Sequence, residues 1–198
     1  MNTFTTDEIE HIKSAKVKIQ RALTEKFMDP LIRADLHRII MEECVLSGGA
    51  ISSCIRRETP NDFDLYFKTY EGMDKFTKFM AMKHNQNVIK DNDSKYSTTL
   101  LAGKLVTANA TTLFNDLQFI TLSIFEEQQK AFDFIHCKPY YDIGESQLFI
   151  SKPEFMSIMQ RQLVVNGSNE VSVKRLDKFK DRGWTLPDVT LISNSEWE

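Results

Sequence analysis

Cysteine, glycine and proline are all scarce in this chain of 198 residues. The cysteines are Cys44, Cys54 and Cys137. An odd, sparse set builds no disulfide framework and suits a reducing compartment such as a cytoplasm. No C-x-x-C pair occurs, and His11, His37, His84 and His136 are scattered, which argues against a structural zinc site. No apolar run approaches the roughly 18 residues of a transmembrane helix, so no membrane partner is expected. Met1 to Lys13 is polar and acidic and lacks the basic-then-apolar order of a secretory leader. No Pro/Gly/Ser-rich linker, internal repeat or low-complexity run divides the chain. A net charge of −3 argues against holding duplex nucleic acid mainly through a basic surface, although a local patch is compatible with it.

What is present is core material. Hydrophobic residues make up 41% and include 14 Phe, which is ordinary globular composition with enough bulk for a real core. At roughly 150 residues per domain, the length allows one domain or one with a small appendage.

Thr5 and Glu8 form a T-x-x-E capping box, and Ile9, Ile12, Ile19, Leu23 and Phe27 follow at helical spacing. Asp29-Pro30 closes that helix and opens a second, whose apolar face is Ile32, Leu36, Ile39 and Ile40. Cys44-Val45-Leu46 reads as a buried strand, Ser47-Gly48-Gly49 as a break, and Ala50 to Arg57 as a short helix. Asp62 to Phe67 alternates as a strand, and Glu71 to Lys83 is helical. Asn85 to Ser94 reads as loop. Strands follow at Ser97 to Leu101, Leu105 to Thr107, Thr111 to Phe114 and Leu117 to Leu122. A helix at Glu126 to Ala131 and a strand at Phe132 to Cys137 come next. Turns are expected beyond Pro139, then a basic helix around Val171 to Lys180, ended near Gly183.

The stretch Cys44 to Phe67 carries the chemistry. Twelve residues, 50 through 61, separate Gly49 from Asp62. Asp62 and Asp64 stand two apart on a strand, so both carboxylates share one face. Like charges that close resist ionisation unless a cation lies between them. Mg²⁺ takes one or two carboxylates and completes its shell with substrate phosphates. A Gly-Gly turn opening a helix offers backbone N–H groups with no side chain in the way of a phosphate. Singly these parts are bland: a Gly-Gly turn is usually a turn, and Asp-x-Asp is usually a solvated face. Order, spacing and the apolar Phe63/Leu65/Phe67 face, which anchors the strand, favour a site.

Gly-Gly, a dozen residues, then Asp62-Phe63-Asp64-Leu65 resembles the signature of the nucleotidyltransferase superfamily, with its DNA polymerase beta-like fold. The run Asn61-Asp62-Phe63-Asp64-Leu65-Tyr66-Phe67 is similar to the catalytic heads of CCA-adding enzymes and poly(A) polymerases. Compact stand-alone nucleotidyltransferase-like proteins of phages and large viruses are more similar still. Asn109-Ala110-Thr111-Thr112, Gln118-Phe119-Ile120 and Phe132-Asp133-Phe134-Ile135-His136-Cys137 match their pattern in order. The resemblance covers Cys44 to Tyr141, about half the chain. CCA-adding heads usually read GGxxRD, whereas this chain has Gly48-Gly49-Ala50-Ile51-Ser52-Ser53, so no role for that Arg and Asp carries over. The large RNA-binding domains of those enzymes do not fit in this length, which argues against CCA addition itself.

The resemblance implies an α/β (α+β) nucleotidyltransferase fold, a small mixed sheet flanked by helices. Residues 1–43 would be N-terminal helices packed on the core, 44–142 the catalytic core, and 143–198 a helical tail of the same domain. It implies Mg²⁺ (or Mn²⁺) as cofactor and transfer of NMP from an NTP to an acceptor hydroxyl, with pyrophosphate released. The acceptor is left open between RNA or tRNA, a protein and a small molecule. Asp62 and Asp64 would hold metal, Asp133 would join them as third carboxylate and proton acceptor, and Ser47, Gly48 and Gly49 would hold the β,γ-phosphates. On the residues alone Asp133 is equally well an Asp at a strand edge. A rival from another class is a protein of this fold that binds a nucleotide or protein partner without catalysis, such as a viral accessory factor in the host cytoplasm. Cys44, Cys54, His136, Cys137 and Trp184 read as packing residues. Tyr66 shares the Asp face, and Lys174, Arg175, Lys178, Lys180 and Arg182 read as a solvated helix face in preference to a phosphate or RNA grip.

Overall fold

Thr5 and Glu8 cap each other. The Glu8 N–H donates to Thr5 Oγ1 at 3.3 Å and the Thr5 N–H to Glu8 Oε2 at 2.7 Å, which starts helix α1, Thr6–Phe27. The computed structural model describes residues 3–28, 34–83, 89–90, 99–101, 104–106, 109–113, 116–167 and 169–186. Ala15, Ile19 and Leu23 are the buried stripe of α1, while Ile9 turns out to the exposed side. Helix α2, Ala34–Glu43, buries Leu36 and Ile40. The expected stop and start at Asp29-Pro30, and Ile32, lie outside the described residues.

Strand β1, Cys44–Ser47, is buried throughout, and Gly49–Ile55 forms helix α3. Strand β2, Phe63–Phe67, follows, then helix α4, Tyr70–Lys83. The short strands β3 (Ile89–Lys90), β4 (Thr99–Leu101), β5 (Lys104–Val106), β6 (Ala110–Leu113) and β7 (Leu117–Ile120) come next. Ile89–Lys90 is thus strand where loop was expected; the rest of that loop, and Ser97, Thr107 and Phe114, lie outside the described residues. Helix α5 is Phe125–Ala131, and strands β8 (Tyr140–Asp142) and β9 (Gln147–Phe149) form a hairpin. Helices α6, Lys152–Gln160, and α7, Val173–Lys180, complete the order.

Among the described residues the strands form one mixed sheet in the order β3-β4-β5-β6-β7-β2-β1-β8-β9. β2 is interior: it pairs antiparallel with β1, Asp64 opposite Ser47, and parallel with β7, Asp64 opposite Gln118. Its alternation divides the two faces. Phe63, Leu65 and Phe67 enter the main core with residues of α1, α2, α3, α4 and α6. There Phe76 stacks on Phe119 with centroids 4.4 Å apart. On the other face Tyr66 is covered by Phe125 of α5 and by Phe132, which leaves Asp62 and Asp64 to line a cavity. The main core reaches from Ala15 to Trp184. The architecture is α/β, as expected. No helix among the described residues is long and apolar enough to cross a membrane.

Two expectations are corrected. The region beyond Pro139 is a hairpin and then α6, not turns alone; α6 opens on a Ser151–Glu154 capping box with Pro153 in its first turn. Its apolar stripe is short, Phe155 and Ile158, which weakens the periodic signal. Phe132 to Cys137 is not a strand. Its backbone is claimed by residues far along the chain: Asn166 Nδ2 donates to the Phe132 carbonyl at 3.1 Å, Asn169 Nδ2 to the same carbonyl at 3.0 Å, and the Asn166 N–H to the Asp133 carbonyl at 3.0 Å. Phe134 makes one isolated bridge with Val165, and Ile135–Cys137 is a 3₁₀ turn.

Candidate functional site

The site grows from the junction of β1 and α3. Gly48 has φ +83°, a left-handed conformation that costs glycine nothing and other residues strain. A β-carbon at Gly48 would stand 3.3 Å from Asp64 Oδ2, and one at Gly49 would stand 3.8 Å from Asp62 Oδ1. The bare turn therefore lies directly against both carboxylates. Ser47 has a different part from the one expected. It is fully buried, and its Oγ lies 3.0 Å from the Cys137 carbonyl and 2.8 Å from that of Pro139. Its one hydroxyl hydrogen is spent inside the protein, so its side chain is not free to hold a phosphate.

Asp62, Asp64, Gly48 and Gly49 line one cavity of about 490 Å³. Burial, and then the charge of Asp62, push the Asp64 carboxyl up to about 6, while Lys178 and Arg175 pull the other way. Five cationic side chains line the same cavity: Arg56, Arg161, Arg175, Lys178 and Arg182. Among the described residues only three carboxylates do, Glu58 being the third, so the cavity as a whole suits a polyanion. Arg56 and Arg161 both pair with Glu58.

The expected triad is not assembled. Asp133 lies on the pinned loop described above, not on a strand beside β2, and its Oδ2 accepts from Arg175 Nε at 2.6 Å. It is not among the residues lining the cavity, and the described residues hold no group of three or more His, Cys, Asp or Glu that could bind a metal ion. Two carboxylates facing a bare glycine turn nevertheless suit a Mg²⁺ that completes its shell with phosphate oxygens.

The aromatic residues of the cavity wall come from distant parts of the chain. Trp184 packs on the body, as expected, stacking on His136 with centroids 3.9 Å apart. Burial, then Arg56 and Arg175, push His136 down to about 3, so it stays neutral. Its Nδ1, and Nε and Nη1 of Arg56, are buried without a hydrogen-bond partner among the described residues. Cys44, Cys54 and Cys137 are buried and free; burial pushes the Cys54 thiol up to about 11 and Cys137 to about 12, which makes them inert packing groups. Tyr66 is buried beneath the Asp pair, and burial raises its pKa too.

Sequence reasoning missed Arg56 and Arg161; the solvated face it expected is seen in the exposed Lys174, Lys178, Lys180 and Arg182, yet Arg175, Lys178 and Arg182 also line the cavity. The signal for α7 was its register. Arg175, Lys178 and Arg182 flank the buried Phe179 at helical spacing and so edge the cavity, while Lys178 and Arg182 stay exposed.

Several known proteins resemble the chain. A protein of Bacillus phage SPbetaL7 called Gabija anti-defense 2 is 26% identical over 183 residues, covering 89% of this chain and 40% of its own length. A Thermotoga maritima CCA-adding enzyme complexed with tRNA aligns at 14% identity and a TM-score of 0.49, covering 86% of this chain and 42% of the enzyme. A Bacillus stearothermophilus CCA-adding enzyme in complex with CTP aligns at 16% identity and a TM-score of 0.39, covering 71% and 32%. The chain thus spans less than half the length of each of these proteins, and nothing about the site follows from structural likeness of that degree. The profile described as Gabija anti-defense 2 family protein matches residues 16–161, most of the chain, and the chain belongs to that family.

Proposed function

We propose that the chain is a nucleotidyltransferase that counters a bacterial defence, moving an NMP from an NTP onto an acceptor hydroxyl. The acceptor oxygen bonds to the α-phosphorus, the bond from that phosphorus to the bridging oxygen breaks, pyrophosphate leaves, and the hydroxyl proton passes to water. The observation that carries this reading is the convergence of Gly48, Gly49, Asp62 and Asp64 at a cavity with a cationic wall. Asp62 and Asp64 would hold Mg²⁺ or Mn²⁺, which supplies the charge that offsets the triphosphate and activates its α-phosphorus. The chain's own part is to hold and orient. The glycine turn leaves room for phosphate oxygens, and Arg175, Lys178 and Arg182 draw the polyanion in. The defence as target comes from the family's description and from the phage relative.

One observation favours a second reading, binding without catalysis: Asp133, the expected third carboxylate, is engaged by Arg175. Incubation with each α-³²P-labelled NTP, Mg²⁺ or Mn²⁺, and lysates of bacteria with and without the Gabija defence separates the two. Label on RNA, protein or a small molecule supports transfer. No label, together with a Mg²⁺·NTP-dependent rise in melting temperature, favours the binding reading. No label and no thermal response overturns both.

A further inference from the structure

Resting on that reading of the cavity, we propose that Asp133 is a positioning residue. It holds the Arg175 guanidinium so that its two Nη groups grip an anionic group of the ligand, a polyphosphate. Arg175 is built into place from three sides. It sits in the first turn of α7, where Ser172 caps the helix and its Oγ accepts from the Arg175 N–H at 3.4 Å. Its guanidinium carbon lies 5.2 Å from the centroid of the Phe179 ring. Its Nε donates to Asp133 Oδ2 at 2.6 Å.

Asp133 is itself held still. Asn166 and Asn169 bind the Phe132 carbonyl, and the Asn166 N–H binds the Asp133 carbonyl, so the backbone is fixed on both sides of the carboxylate. With Nε engaged by Asp133, the four N–H donors on Nη1 and Nη2 are the part of the guanidinium left to meet a ligand. Arg175 lines the cavity and Asp133 does not, so the pair joins a cavity wall to a support behind it. A cation in the first turn of a helix is disfavoured by the helix dipole, and the carboxylate beside it offsets that cost. The pair is part-exposed, 41% for Arg175 and 28% for Asp133, and pairs so exposed contribute little to stability. What the pair contributes is orientation, since a planar guanidinium gripped along one edge presents its remaining donors in a fixed fork.

The sign of a mutational effect separates this role from the alternatives. Removing the negative charge of a bystander near an anion site tightens anion binding. Removing a support for the gripping arginine weakens it. The probe is sodium tripolyphosphate in EDTA at low salt, followed by titration calorimetry on the full chain, so that neither metal nor turnover is involved. Wild type binds, and Arg175→Gln weakens binding about tenfold. Asp133→Asn weakens it by a similar factor, and the double variant is no weaker than Arg175→Gln alone. Asp133→Glu keeps the charge but displaces it, so it also lowers affinity; this variant decides the matter should Asp133→Asn fail to fold. Asp133→Asn binding tripolyphosphate as tightly as wild type or tighter overturns the proposal. So does additivity in the double variant, or a wild type that does not bind tripolyphosphate. Failure of the nucleotidyltransferase reading shows separately, as absence of label transfer by a wild type whose metal-free tripolyphosphate series is intact.

Discussion

The two walls of the cavity are built by different means. The wall bearing Gly48, Gly49, Asp62 and Asp64 comes from one continuous stretch, Cys44–Phe67, locked by the β1–β2 ladder and by the parallel pairing of β2 with β7. The other wall is assembled from His136, Arg175, Lys178 and Trp184, with Asp133 behind it, and is held by an ion pair, ring stacking and side-chain hydrogen bonds. Backbone ladders fix positions to within a fraction of an ångström and leave little freedom to vary. Side-chain contacts hold charge and shape in place while leaving both open to substitution. The first wall is therefore suited to the chemistry common to many ligands, and the second to deciding which ligand enters.

Five measurements can break or sharpen that contrast. The largest expected effect is on the strand wall: Asp64→Asn should lower metal-dependent transfer by at least about 10²-fold and remove the Mg²⁺·NTP-dependent rise in melting temperature. Retention of both would show that the ladder-built wall is not the site of the chemistry. On the assembled wall, Trp184→Ala deletes a buried ring stacked on His136 and should destabilise by about 3 kcal/mol, or roughly 6–12 °C in a melt. A loss well below that would mean the wall collapses around the gap.

Gly48→Ala is the third. It places a β-carbon 3.3 Å from Asp64 Oδ2 at a φ of +83°, and should cost about 1–3 kcal/mol while displacing the carboxylate. Unchanged stability with unchanged nucleotide binding would show that the turn can relax. A comparable effect is expected in pH dependence. The Asp64 pKa of about 6 in the fold lies above its ordinary 3.8, so the folded state holds this proton more tightly. The resulting penalty is absent below about pH 4 and grows as pH rises through 6, to roughly 2–3 kcal/mol without metal. His136 works in the opposite direction, since its pKa near 3 is below its ordinary 6.5 and destabilises the fold as pH falls. The difference between wild type and Asp64→Asn isolates the carboxylate, and a difference independent of pH from 4 to 7 would refute the assignment. Lys178→Gln should raise the Asp64 pKa further, because Lys178 is one of the charges holding it down; an NMR titration of the carboxylate checks the direction.

The same contrast decides what could be read from the amino-acid order. Asp62, Asp64 and the glycine turn were legible because period-two alternation and a Gly-Gly break are local patterns, and neighbours in sequence are neighbours in the ladder. The α/β class followed from the same signals. Asp133 was misplaced because Phe132-Asp133-Phe134 alternates like a strand, while its backbone partners, Asn166 and Asn169, lie more than thirty residues further on. Ser47 was assigned by adjacency to the glycines, yet a strand residue points the opposite way from its successor, and its hydroxyl went inward. The α7 cations are mostly exposed, as a solvated face should be; charge alone does not show that Arg175, Lys178 and Arg182 flank the buried Phe179 and so reach the cavity.

The Ser47 hydroxyl has a mechanical consequence. It lies between the carbonyls of Cys137 and Pro139, one residue before the glycine turn and directly before β8. A ligand that draws Gly48 toward itself loads that hydroxyl, and through it the edge hairpin of β8 and β9. Amide hydrogens of the hairpin that do not touch the ligand should then exchange with solvent more slowly when the cavity is filled. In Ser47→Ala that slowing should shrink while ligand still binds, since only the β1–β8 ladder then links the two. Loss of that buried hydroxyl would leave the backbone ladder between β1 and β8 as the remaining link, and the outer edge of the sheet would report on the cavity less strongly.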